Sequence, residues 1–231
     1  MKRDNKRMKQ AHAGVDPSKR YSLTDAVSIL KQAPHPKFVE SVDLSIKLGL
    51  DVKETSLAVR GTVRLPHGTG KVVRVAVFCK GEAVNAVQEA GASFFGGAEL
   101  VEKVSQGFLD FDVAIATPDM MKDVGRLGKV LGPRGLMPNP KSGTVTEDVV
   151  RAVKEVKAGK IEFKMDKQAN IHCAIGKLSF EPPALVENAK VLLHAIATAK
   201  PAAAKGEYIR RVTLSSTMGP GVTIASSEIE A

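Results

Sequence analysis

The strongest constraint on this chain is a change of hydrophobic texture that happens twice. From Val42 to Leu48, the apolar Val42, Leu44, Ile46 and Leu48 alternate with Asp43, Ser45 and Lys47. A period of two marks a strand with one face buried and one face wet. Leu57 to Leu65 reads as a second strand, interrupted by Gly61. At Pro66-His67-Gly68-Thr69-Gly70 the texture changes. Val72 to Phe78 is nearly continuous in apolar residues, as a parallel strand covered on both faces would be. Helical stretches follow at Glu82–Glu89 and Ala98–Ser105, on either side of Phe94-Phe95-Gly96-Gly97. Asp112 to Thr117 is a short apolar strand, Pro118 opens a helix, and Thr146 to Lys157 forms another that ends at Gly159. After Gly159 the alternation returns, through Ile161, Phe163 and Met165 and then Ile171, Cys173 and Ile175. Pro182-Pro183 opens a long amphipathic helix through Lys200, and Tyr208 to Ser216 is strand again.

The ends therefore share one texture and the middle has another. The economical fold has two domains: an α+β domain made from both chain termini, residues 1–67 plus 160–231, and an inserted α/β domain, Rossmann-like and three-layered, at 68–159. The 231 residues suit this count, at about 150 residues per domain. Gly68, Gly70 and Gly159 stand at the joints and read as hinge positions. Near the start, Ser22-Leu23-Thr24-Asp25 fits a capping box, and Leu23, Ala26, Val27 and Leu30 follow helical spacing until Pro34.

Charge narrows the partner. The formal net charge is +9, and the first twenty residues hold seven bases against two acids. That stretch reads as a solubility tail or as an arm that contacts phosphates. Nucleic acid is the leading anionic partner. A membrane surface is disfavoured, because no basic cluster carries the apolar face of an interfacial helix and no uncharged apolar run approaches the ~18 residues of a bilayer span. The basic N-terminus lacks the apolar region of a secretory signal. Cys79 and Cys173 stand far apart with no C-x-x-C pair, which argues against a zinc ribbon or disulfide scaffold and suits a reducing cytosol. The five histidines are scattered, and neither H-E-x-x-H nor G-x-S-x-G occurs. Gly68-Thr69-Gly70-Lys71 fails as a phosphate loop, since Val72-Val73 starts a strand rather than a helix and no Ser or Thr stands ready for magnesium. No G-x-G-x-x-G follows the first inner strand. We therefore expect no catalytic residue, no metal and no cofactor.

The second basic cluster is Lys122, Arg126, Lys129, Arg134 and Lys141, threaded with Gly125, Gly128, Gly132 and Gly135. Small residues at helical spacing let another backbone approach closely, and each glycine costs a free helix about 1 kcal/mol. Gly132-Pro133-Arg134-Gly135 and Pro138-Asn139-Pro140 read as an exposed loop. The Gly125-Arg126-Leu127-Gly128 tetrad matches a G-x-x-G clamp, though only two positions are fixed. The loop either contacts nucleic acid or is simply solvated.

At this segment the sequence resembles a known family. Met120-Met121-Lys122-Asp123 through Lys141-Ser142-Gly143-Thr144-Val145 is similar to the central motif of bacterial large-subunit ribosomal protein one, the mobile side-stalk family. Phe38-Val39-Glu40-Ser41-Val42-Asp43-Leu44, Arg60 through Gly70, Asn170 through Lys177 and Ser215 through Gly221 resemble it too, in the right order. The resemblance implies a non-enzymatic, cytoplasmic, ribosome-associated protein that is monomeric when free. It implies that the domain of both termini binds large-subunit ribosomal RNA to form the stalk. It further implies that the protein assists release of exit-site tRNA and represses translation of its own operon by binding its mRNA. The RNA contacts it implies are Lys37, Phe38, Glu40, Asp166, Lys167, His172, Ser216, Thr217, Met218 and Gly219, with secondary RNA or tRNA contacts at Arg126, Arg134 and Lys141. Hydroxyls such as Thr217 suit the 2′-hydroxyls of RNA, Gly219 leaves room for a backbone, and Lys37 and Lys167 neutralise phosphates. Glu40 and Asp166 would accept from 2′-hydroxyls or orient those lysines. Without the resemblance, Thr217 to Gly221 also reads as a turn that merely closes the last strand. Aromatics are only 4% and Trp is absent, which argues against a base-stacking platform.

Overall fold

The structure, a computed structural model, describes residues 6–50, 59–80, 83–201, 204 and 206–225. It divides into two compact units, one running up to Lys71 and resuming at Ile161, the other from Val72 to Lys160. Gly68 and Gly70 stand just before the first bound and Gly159 just before the second. All three have left-handed backbones, with φ of 65°, 67° and 96°.

The first unit contains α1 (Lys6–Ala13), α2 (Leu23–Gln32), β1 (Ser41–Leu48), β2 (Arg60–Arg64), β6 (Lys160–Lys164), β7 (Asn170–Lys177), α8 (Pro182–Thr198), β8 (Ile209–Ser216) and β9 (Gly221–Thr223). Ser22 caps α2, its hydroxyl accepting the Asp25 N–H at 3.1 Å, as the sequence motif requires. Four strands form one sheet in the order β7-β1-β8-β9, antiparallel where paired. Val42, Leu44, Ile46 and Leu48 are buried and pack with α2 and α8 in one core, leaving Ser41, Asp43, Ser45 and Lys47 on the other face. The core of α8 includes one polar side chain, Asn188, fully buried yet fully bonded. Its amide donates to the Gly68 and Ile175 carbonyls at 3.0 and 2.8 Å and accepts the His67 N–H at 3.2 Å. A buried amide without partners would cost the unit its desolvation penalty, so Asn188 fixes the chain at 67–68.

The pairing of β1 is irregular at two places: Ile175 of β7 is skipped between Val42 and Asp43, and a second shift falls at the other end of β1. Lys47 pairs with Arg211 but Leu48 pairs with Ile209, so Arg210 is an extra residue in β8, a bulge. The β2 strand is shorter than the sequence suggests: it begins at Arg60, and Leu57 lies outside the described residues. The three-residue strand β9 was not expected, because it is too short to show a period.

The second unit holds β3 (Val75–Phe78), α3 (Ala83–Glu89), β4 (Phe94–Gly96), α4 (Ala98–Ser105), β5 (Val113–Ala116), α5 (Met121–Arg126), α6 (Gly128–Leu131) and α7 (Val149–Lys157). Its sheet is parallel, in the order β4-β3-β5. Alternate residues of β3 feed two cores: Ala76 and Phe78 pack with α4, α5 and α6, while Val75 and Val77 pack with α3 and α7. This makes three layers, helices on both faces of the sheet. Two expectations are corrected, and one strand was not assigned from the sequence. The strand opens at Val75, not Val72, which is 90% exposed, because Val75 is the first residue paired with a neighbouring strand. Phe94–Gly96 is itself a strand. The helix expected from Thr146 starts at Val149: the Thr146 hydroxyl accepts the Asp148 N–H at 3.2 Å in a preceding turn, and Asp148 is the cap, accepting the Arg151 N–H at 3.0 Å. Cys79 and Cys173 are free, buried thiols, and burial pushes Cys173 up to about 12. Among the described residues no helix is long and apolar enough to cross a membrane, and no group of three or more His, Cys, Asp or Glu could hold a metal ion.

Candidate nucleic-acid interface

The expected contacts in the first unit fall at two ends of one sheet face, with a third residue between them. At the Ser41 end, β8 runs into the turn Thr217-Met218-Gly219-Pro220 and returns as β9. This turn is built from within. The Thr217 N–H donates to the Ser41 carbonyl at 3.0 Å, and the Ser41 N–H donates back to the Thr217 hydroxyl at 3.0 Å. Lys177 donates from Nζ to the Ser41 hydroxyl at 2.8 Å. Beneath the turn lies Glu40, only 2% exposed. Its Oε1 accepts the Met218 N–H at 2.6 Å and the Ser216 hydroxyl at 3.2 Å, and its Oε2 lies 3.1 Å from His35 Nδ1.

Glu40 and Ser216 are buried supports of the turn. Their polar atoms point into the turn and hold its shape, and a bonded carboxylate in this position fixes Met218 and Thr217 outward. Gly219 is required here for closeness rather than for its backbone angles: a Cβ on it would sit 2.3 Å from the Ser216 hydroxyl oxygen. What the turn offers outward is Thr217 and Met218, beside exposed Lys37 and the apolar Phe38 and Val39. Phe38, Val39 and Met218 are 54%, 59% and 49% exposed, on two loops that Glu40 ties together.

A residue the sequence did not single out locks the two loops together. Arg7, on α1, donates from Nη1 to the Pro34 carbonyl at 3.1 Å and from Nη2 to the Met218 carbonyl at 2.9 Å. The sequence shows Arg7 only as one base among seven. Its partners are backbone carbonyls far along the chain, which leave no trace in composition.

At the Lys47 end stands the β6–β7 turn. Asp166 Oδ1 accepts the Gln168 and Asn170 N–H groups at 2.8 and 2.7 Å, and Asn170 Nδ2 donates to Oδ2 at 3.2 Å. The Asn170 N–H, first among these bonds, holds the carboxyl below the usual Asp value. Asp166 is therefore the organiser of a turn in which Ala169 adopts φ 58°, while Lys167 is exposed at its tip. His172 lies between the two ends, with Nδ1 3.0 Å from the Ser45 hydroxyl and Nε2 3.9 Å from Asp166 Oδ2. From Ser41 to Lys47 the strand spans about 20 Å, so the two clusters belong to one extended surface rather than to a single pocket. Cross-strand rows fill it: His172, Ser45, Thr213 and Thr223 in one, Asn170, Lys47 and Arg211 in the next. Alternation along β1 already marks Ser41, Ser45 and Lys47 as its wet side.

The expected contacts of the second unit lie around α5 and α6. Arg126 is 83% exposed and 3.9 Å from Asp123, and Arg134 is exposed in the turn after Gly132. The backbone of Lys141 belongs to a short 3-10 turn, Pro140–Ser142, and its side chain lies outside the described residues. No other segment of this chain packs closely on Gly125 or Gly128 among the described residues. A Cβ at either would meet nothing within 4 Å, so these positions leave bare backbone at an open surface. Pro138 is buried, so the 132–140 loop is only partly exposed.

With this geometry in place, the comparisons with known proteins are specific. The model of the "Ribosomal protein L1p/L10e family" matches residues 29–220. The chain is 52% identical over 224 residues to the large ribosomal subunit protein uL1 of Protochlamydia amoebophila (strain UWE25), covering 97% of this chain and 95% of that one. It is 52% identical over 231 residues to the protein of the same name from Chlamydia pneumoniae, covering 100% of both, and 51% identical over 229 residues to that of Chlamydia trachomatis serovar L2b (strain UCH-1/proctitis), covering 99% of both.

Proposed function

The chain belongs to the ribosomal protein L1p/L10e family, and from that premise we propose that it is a structural, non-enzymatic component of the large ribosomal subunit that grips ribosomal RNA with its first unit. Its working place is the ribosome, in the cytoplasm. One observation carries the RNA reading: a turn, Thr217–Gly219, braced from below by a buried carboxylate and tied by the Thr217 hydroxyl to Ser41, with Thr217 and Met218 exposed at the edge of an open sheet face. Rigid display suits recognition, since groups already fixed lose little freedom on binding. Hydroxyls and backbone groups meet the 2′-hydroxyls of a shallow RNA groove, and Met218 and Phe38 supply apolar contact. Lys37 and Lys167 neutralise phosphates from either end. Glu40, Ser216 and Asp166 act by holding the turns that present these groups.

The second unit, with Arg126, Arg134 and Lys141 around bare glycine backbone, is proposed to face exit-site tRNA, so that the stalk assists its release. Gly68, Gly70 and Gly159 are the proposed pivots of that movement. Binding an operator site in its own messenger RNA, in place of ribosomal RNA, would make the same surface a repressor of its operon.

A filter-binding titration against large-subunit ribosomal RNA at two salt concentrations tests the reading. Specific binding with affinity falling at higher salt is expected, together with co-sedimentation with large subunits. Binding no tighter than to an unrelated RNA of equal length would reject it.

A further inference from the structure

The open sheet face extends past His172 to its Lys47 end. There Arg210 and Arg211 are consecutive, and in a regular strand they would point to opposite faces. The bulge changes that. Both arginines are exposed while Ile209 and Val212 on either side of them are buried. Bulges re-aim side chains in this way next to functional sites. Lys47 is paired in register with Arg211, so a third base stands on the same row, its Nζ donating to the Gln168 carbonyl.

Two clefts meet at these arginines. One, of about 490 Å³, is also lined by Lys47, His172 and Thr213. The other, of about 200 Å³, is also lined by Lys19, Arg20 and Thr223. Among the described residues no Asp or Glu lines either cleft. The Lys19–Arg20 segment is pinned to the sheet edge: the Tyr21 N–H donates to the Thr223 carbonyl at 2.9 Å, and the Ala225 N–H donates to the Tyr21 carbonyl at 2.9 Å. Two carboxylates of the neighbouring turns are engaged elsewhere. Asp166 is tied into its turn, and Asp16 accepts the Ser18 N–H at 2.9 Å.

We propose that this bulge-built basic corner is a second phosphate-binding site, holding the sugar–phosphate backbone of the RNA strand that leaves the Thr217 turn and crosses the sheet. The inference rests on the RNA reading above and extends its footprint. Paired guanidinium groups match phosphate oxygens, and the threonines in the same rows suit 2′-hydroxyls.

The test is filter binding of large-subunit ribosomal RNA over a range of salt concentrations, with wild type, R210Q/R211Q and K47Q. Each phosphate that a variant no longer neutralises should make the plot of log affinity against log salt shallower by about 0.7–0.9, so by somewhat under 2 for the double variant and under 1 for K47Q. The affinities should converge at high salt. Circular dichroism of each variant should match wild type, so that a change of slope is not a loss of fold. If wild type binds and both variants keep its slope, the proposal is overturned while the RNA reading stands. If wild type itself does not bind, both fail. Should R210Q/R211Q not fold, K47Q alone decides. Binding of polyglutamate that is abolished in the variants, with the RNA slope unchanged, would assign the corner to an acidic protein and overturn the proposal.

Discussion

At the residue scale, the RNA-facing turn depends on two side chains that never reach the surface. Glu40 gathers Met218, Ser216 and His35, and Gly219 makes room for the Ser216 hydroxyl. This predicts a specific coupling. Gly219→Ala forces its Cβ against that hydroxyl and should destabilise the protein by about 1–3 kcal/mol, as overpacking does. In a Ser216→Ala background the nearest side-chain atom is the residue-216 Cβ at 3.5 Å, an ordinary contact, so there the same substitution should cost well under half as much. A double-mutant cycle by urea unfolding measures this, and strictly additive effects would disprove the contact. The sequence made both Glu40 and Ser216 visible as site residues, because their motifs stand out. It could not tell that they face inward, since a carboxylate and a hydroxyl read the same whether they meet RNA or a backbone N–H.

At the element scale, the β6–β7 turn should be the acid-sensitive part of the interface. The Asp166 carboxyl is held below its ordinary 3.8 by hydrogen bonds from Asn170 and Gln168 and by the charge of His172. A depressed value means the ionised form is favoured by folding. Its stabilisation is complete above the ordinary value and is lost as pH falls through the lowered one. Asp43, on the same sheet face, is displaced the opposite way, raised by burial against the pull of Lys177 and His172, so its contribution runs in the other sense. It is common to wild type and variant and cancels between them. Urea midpoints from neutrality to about pH 3 should therefore fall more steeply for wild type than for Asp166→Ala, with the two curves approaching each other at the acid end. Parallel curves would show that the turn does not depend on the charge. Element boundaries show where sequence reading stops. Alternation found β1 and β7 because each has one dry and one wet face. It overran β3, because Val72 and Val73 are apolar without being flanked by strands. It missed the bulge at Arg210 altogether, since a bulge is a property of register between strands, not of either strand alone.

At the scale of the whole molecule, each hydrophobic core draws on only one unit: the sheet β7-β1-β8-β9 with α2 and α8, or the two layers around β4-β3-β5. Removing residues 72–160 and joining Lys71 to Ile161 should leave a folded protein that still binds ribosomal RNA. Circular dichroism showing a random coil would refute the independence of the first unit. The double change of texture made this division legible early, because parallel strands sheathed by helices and half-wet antiparallel strands bury their residues in different rhythms. The net charge of +9 is less informative than its placement: Arg7, Lys47, Arg210 and Arg211 acquire meaning only from what stands across from them. The two buried thiols have a practical corollary. Cysteine reacts as thiolate, and burial pushes both thiols up, Cys173 to about 12, out of reach of mild alkylating reagents. The native chain is thus already a silent background for thiol labelling. A single cysteine placed at exposed Val72 or Val39 should accept a fluorophore stoichiometrically, with neither native cysteine having to be replaced first.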